Sequence, residues 1–115
     1  MGDAAPRMTG PTKAVLRVLV DRPDQVHYGL AIGAHTALPS GTVHPILARL
    51  EGRGWVSSSW EDIDPSDLGR PRRRHYRLTA AGATAARAAL ARADATHARL
   101  VARAPNPART QGATS

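Results

Sequence analysis

Apolar residues near the start of the chain fall into a helical stripe, Val15, Leu16, Leu19 and Val20. The spacing predicts a first helix opening near Thr9, with Pro11 in its first turn, and ending at Asp21-Arg22-Pro23-Asp24. A short extended piece follows over 25–27. Leu30, Ile32 and Ala34 then mark a brief second helix from about Tyr28 to Thr36. Gly29 and Gly33 weaken that helix intrinsically, so tertiary packing must hold it. Ala37-Leu38-Pro39 reads as a turn. Beyond it Val43, Ile46, Leu47 and Leu50 recur at spacings of three, one and three, one face of a third helix. Ser40 is its expected N-cap, because a hydroxyl can accept from the unpaired amides of a first turn. Gly52 or Gly54 ends it. Pro45 lacks an amide donor, a loss that is smallest near a helix start.

The period then changes from helical to two. Val56, Ser58 and Trp60 alternate with Ser57, Ser59 and Glu61, and Arg74, Tyr76 and Leu78 alternate with Arg73, His75 and Arg77. The linker between them holds Asp64-Pro65 and Gly69, so the pair reads as a long-looped hairpin. Thr79 is a fitting N-cap for a final helix over about 80–103, stopped by Pro105 and Pro107. Divided by these signals, the chain has a flexible arm at 1–9, a globular domain at 10–79, a long helix at 80–104 and a disordered tail at 105–115. No internal repeat is visible.

Composition narrows the chemistry. A chain of 115 residues suits one domain with a modest core. Phenylalanine is absent, leaving Tyr28, Tyr76, Trp55 and Trp60 as the aromatics, so the core rests on aliphatic residues and burial against a partner would help it. The net charge is +7, from 16 basic residues against 9 acidic ones, and Lys13 is the single lysine. Arginine suits forked contacts to phosphates and guanines, although a basic balance alone is weak evidence of nucleic-acid binding. The absence of cysteine excludes disulfides, thiolate zinc sites and cysteine nucleophiles. No apolar run is long enough to span a bilayer, and a cytoplasmic location is the default expectation.

Helix, helix, helix, hairpin, long helix is the layout of a winged helix-turn-helix domain, a mainly α (α+β) fold with a two-stranded wing. The segment from Tyr28 to Leu90 resembles the PadR family of bacterial transcriptional regulators. The resemblance is carried by Tyr28-Gly29-Leu30, by Gly41-Thr42 with Pro45, Leu47, Leu50 and Gly54, and by Trp60-Glu61. It continues through Gly69-Arg70-Pro71-Arg72-Arg73-Arg74 and Tyr76-Arg77-Leu78-Thr79-Ala80-Ala81-Gly82. The family usually has tyrosine at the position of His44. The resemblance implies a homodimer that binds an inverted-repeat operator in double-stranded DNA, often repressing, with a small-molecule effector in some members.

On that reading the third helix is the recognition helix. With its apolar face turned inward, Thr42, His44, Pro45 and Arg49 lie outside, and Ser40, Gly41 and Thr42 stand at its N-terminus, where amides and the helix dipole suit a phosphate. Ser40 and Thr42 also read simply as capping groups. Arg70, Arg72, Arg73, Arg74 and Arg77 make the wing basic, either as groove or backbone contacts or as a solvated loop. Tyr28 reads equally as a phosphate contact and as a half-buried core residue.

Glu61, Asp62, Asp64 and Asp67 precede the wing tip and are expected to pair with its arginines or to solvate the hairpin, since a calcium loop needs further ligands. The five histidines give no helical metal pair, and no phosphate loop or nucleophile elbow is present, so neither a cofactor, a metal site nor catalysis is expected. Along the final helix Ala83, Ala86, Leu90, Ala93, His97, Leu100 and Ala104 alternate at spacings of three and four, a seam for a partner helix. Ala86, Leu90, Ala93, His97, Leu100 and Val101, with Val15 and Leu19, are the expected dimer interface. The competing reading is a winged-helix module that binds protein instead of an operator.

Overall fold

The computed structural model describes residues 6–103. The elements run α1 (Gly10–Asp21), β1 (His27–Tyr28), α2 (Gly29–Thr36), α3 (Ser40–Gly52), β2 (Val56–Trp60), α4 (Pro65–Leu68), β3 (Arg74–Leu78) and α5 (Ala80–Arg103). This is the winged helix-turn-helix architecture that the patterning predicts. Three helices and a small antiparallel sheet enclose one core, and a long helix leaves it.

The starts of α1, α4 and α5 are capped by side chains. Thr9 caps α1 by accepting from the Thr12 amide at 3.3 Å, and Pro11 sits where a missing amide costs nothing. Thr79 caps α5 by accepting from the Gly82 amide at 2.8 Å, while its hydroxyl donates to the Gly54 carbonyl at 2.8 Å. One side chain therefore starts α5 and ties it to the turn between α3 and β2. The α3 expectation needs correction. Pro39, not Ser40, is the N-cap, and no side chain caps the helix. The Pro39 carbonyl already accepts from the amides of Thr42 and Val43, at 2.9 and 3.1 Å, which makes Ser40 the first helical residue.

The sheet has three strands, ordered β1-β3-β2. β2 and β3 form the expected hairpin, with Ser58 opposite Tyr76 and Trp60 opposite Arg74. The third strand is the correction: His27 and Tyr28 pair with Tyr76 and His75 on the other edge of β3. The wing loop also contains a single helical turn, α4, with Asp64 accepting from the amide and hydroxyl of Ser66 at 2.9 and 2.8 Å.

The core joins Val15, Leu16 and Leu19 of α1 to Ile32, to Val43, Ile46, Leu47 and Leu50 of α3, and to Trp55, Val56, Tyr76 and Leu78. Ala86, Ala89 and Leu90 of α5 complete it. The first part of α5 thus belongs to the globular unit, and position 79 is not a structural boundary. Gly82 is buried against the Trp55 backbone, and a Cβ there would fall on the Trp55 carbonyl. Arg17 binds Asp94 at 2.6 Å and fixes the middle of α5 on α1. From residue 94 onward the helix is exposed.

The N-terminal arm is partly packed: Pro6 is buried and Met8 lies against the core. Residues 1–5, Ala104 of the seam and the tail at 105–115 lie outside the described residues. No described helix is long and apolar enough to cross a membrane.

Candidate nucleic-acid interface

α3 offers its polar face to solvent because its apolar face is consumed by the core. Ser40, Gly41, His44, Pro45, Ala48 and Arg49 are exposed, and Thr42 is half-buried. Pro45 cannot donate to the carbonyl of Gly41, four residues back, and both residues are exposed. His44 packs toward α2, where a Cβ added to Gly29 would stand 2.9 Å from its Cε1.

The wing is held beside the C-terminal end of α3 by a small polar chain. Glu51 of α3 accepts from the Ser58 hydroxyl of β2 at 2.6 Å and pairs with Arg74 Nη2 of β3 at 3.5 Å. Arg74 Nε also donates to Ser58 Oγ at 2.9 Å, and its guanidinium lies 5.5 Å from the centre of the Trp60 ring. Helix and wing are therefore registered against each other by side chains, not only by the chain turn between them.

The expected wing arginines are not equivalent. Arg70 forms a fork with Glu61, Nη1 to Oε1 at 2.7 Å and Nη2 to Oε2 at 3.1 Å. It was expected among the outward contacts, but its guanidinium is spent inside the wing. Arg74 is likewise engaged with Glu51, Ser58 and Trp60. Arg72 anchors only its Nε, on the Ile63 carbonyl at 2.8 Å, which leaves the forked end of the side chain exposed. Arg73 gives its amide to Glu61 and keeps its side chain at the surface. Fork and amide together draw the Glu61 carboxyl down from 4.5 to about 2, with the Arg70 hydrogen bonds the larger cause. The Ser66 amide and hydroxyl draw Asp64 down in the same direction.

Tyr28 is half-buried, with its ring edge-on to His75 at 6.2 Å. Among the described residues no group of three His, Asp or Glu side chains could hold a metal. The roles of Glu51 and Ser58 are not evident from the sequence. Their only signal was a carboxylate in the last turn of a helix followed by a serine on the inward-facing period of a strand.

The expected interface residues divide by burial. Val15 and Leu19 are fully buried in their own core and present no surface to a partner; α1 turns this side inward to meet α3 and α5. Ala86 and Leu90 are buried there too. Ala93 is half-buried, and His97, Leu100 and Val101 are exposed, the last two at 61% and 59%. Ala93, His97 and Leu100 line, with Met8, Lys13 and Arg92, a cleft of about 410 Å³ between α5 and the start of α1.

The profile of the transcriptional regulator PadR-like family matches residues 15–88. The chain belongs to this family. A PadR family regulator from Eggerthella lenta has a similar structure, with 25% identity, a TM-score of 0.58, and coverage of 75% of this chain and 76% of that one. The fold is shared more widely. The PcaV regulator of Streptomyces coelicolor, solved with its natural ligand, matches at TM-score 0.65 and 23% identity over 92% of this chain and 70% of its own. A MepR variant from Staphylococcus aureus, solved on an oligodeoxyribonucleotide, matches at TM-score 0.61 and 18% identity over 93% and 73%. No curated protein matches the chain.

Proposed function

We propose that this PadR-like regulator is a homodimeric repressor that binds an inverted-repeat operator in double-stranded DNA and is released by a small-molecule effector. The observation that carries the DNA reading is the pairing of an exposed α3 face with a basic wing fixed beside it through Glu51, Ser58 and Arg74. α3 enters the major groove. Ser40, Gly41 and Tyr28 lie on phosphates, Thr42, His44 and Pro45 face base edges, and Arg49 lies along the same face. Arg72 and Arg73 take the flanking backbone or minor groove. Arg70 and Arg74 hold the wing in place.

Pairing of two chains through Ala93, His97, Leu100 and Val101 fits an α5 of 24 residues, about 36 Å long, whose last turns lie beyond the domain's own core. The cleft beside this seam is the natural place for an effector.

Gel retardation at a series of salt concentrations tests the reading. Each neutralised phosphate contributes about 0.9 to the log–log slope, so a dimer using both wings gives a slope several units negative. Thr42→Ala and His44→Ala reduce discrimination between operator and random duplex, whereas Arg72→Ala and Arg73→Ala weaken both. A salt-independent response, or unchanged binding in all four variants, favours a protein-interaction module instead.

A further inference from the structure

Glu61 is an acid at the mouth of a basic wing, 9% exposed. It stands one residue past Trp60↔Arg74, the last pair of the β2–β3 ladder. Its amide donates to the Arg73 carbonyl at 2.9 Å, and its Oε1 accepts the Arg73 amide at 2.7 Å. The carboxylate thus replaces the backbone acceptor that another ladder pair would supply. It also receives the Arg70 fork, and Arg70 Nη1 donates onward to the Pro71 carbonyl at 3.0 Å. Loop 62–72 is therefore closed by a side chain. Arg72 on Ile63 and Asp64 on Ser66 order it from within.

We propose that Glu61 is a positioning residue for DNA binding, closing the wing loop so that Arg72 and Arg73 reach the duplex in a preset geometry. This rests on the DNA reading above. The physical gain is that loop ordering is completed on folding and is not charged against association. With its carboxyl held near 2 by Arg70, Glu61 stays ionised and the clasp stays closed at any neutral pH.

Removing an acid from a DNA-binding surface ordinarily tightens binding by removing repulsion. Glu61→Gln, Asp62→Asn and Asp67→Asn each remove one negative charge, and Asp62 and Asp67 are exposed. Binding to a labelled random-sequence duplex is followed by fluorescence anisotropy, with circular dichroism confirming that each variant is folded. The two Asp variants bind as tightly as wild type or tighter. Glu61→Gln binds about tenfold more weakly, with a salt slope shallower by about one to two units, the scale of losing wing phosphate contacts. In the Arg72→Ala/Arg73→Ala background Glu61→Gln has no further effect, because it acts through those residues. If Glu61→Gln is poorly folded, Arg70→Lys, which keeps the charge and loses the fork, takes its place with an intermediate loss.

Tighter binding by Glu61→Gln, or an undiminished loss in the double-arginine background, overturns the inference while leaving the DNA reading intact. Absence of binding by the wild-type protein overturns the DNA reading itself.

Discussion

His44 of α3 packs its imidazole onto the backbone of Gly29 at the start of α2. A Cβ on Gly29 would come within 2.9 Å of His44 Cε1 and 3.5 Å of Nδ1. The two helices of the helix-turn-helix thus meet through the side chain proposed to face the bases, and the absence of a side chain at 29 sets where that ring lies.

Gly29→Ala therefore separates stability from recognition. The displaced group is the end of an exposed side chain, and alanine is the better helix former by up to about 1 kcal/mol. The melting temperature should stay the same or rise. Discrimination between operator and random duplex should fall, because His44 is pushed from its place. Thermal melts and competition gel shifts on the same preparation check both halves.

Gly82→Ala has the opposite character. Its Cβ would fall on the Trp55 carbonyl, which is backbone and cannot swing away. That carbonyl also accepts from the Thr79 amide at 3.0 Å, so a shift disturbs the cap of α5 as well. A loss of about 3 kcal/mol or more is expected, the scale of severe overpacking. Urea unfolding monitored at 222 nm by circular dichroism measures it.

Acid should act on the wing through Glu61. A carboxyl whose pKa is lowered by folding adds stability above its unfolded value, and that contribution is lost as pH falls through its folded value. For Glu61 the window runs from 4.5 down to about 2. Asp64 and Asp94, lowered by Ser66 and Arg17, titrate in the same sense. Urea midpoints should decline below pH 4.5 in wild type, and less steeply in Glu61→Gln, with the two proteins converging toward pH 2. Parallel declines would remove Glu61 from the account.

Much of this architecture was legible in residue spacing. The α3 face of Val43, Ile46, Leu47 and Leu50, the Thr79 cap and the alternation of β2 and β3 are local signals, and the fold kept all of them. What escaped depends on closure through space. Two residues of β1 show no period, so their pairing with β3 had no sequence signature. Five arginines share one short stretch, and nothing local says that Arg70 is the one to reach Glu61, nine residues back. The stripe of Val15 and Leu19 looks the same whether it meets a partner or its own α3 and α5, and the core claims it. Ser40 has the right chemistry for a cap, but the chain enters the helix one residue earlier, at Pro39.

Self-association should depend on the exposed end of α5. Leu100→Arg together with Val101→Arg places charge where Arg99 and Arg103 already stand, and should convert a dimer to a monomer in sedimentation equilibrium. The globular unit should keep its melting profile to within about 0.5 kcal/mol, since neither residue enters the core. An unchanged dimer would move the interface elsewhere.

The most direct measurement is selection of bound sites from random double-stranded DNA. The expected product is an inverted repeat whose half-sites lie about one helical turn apart, roughly 34–36 Å, as the α3 helices of a symmetric dimer require. Enrichment of no sequence over the starting pool would contradict it.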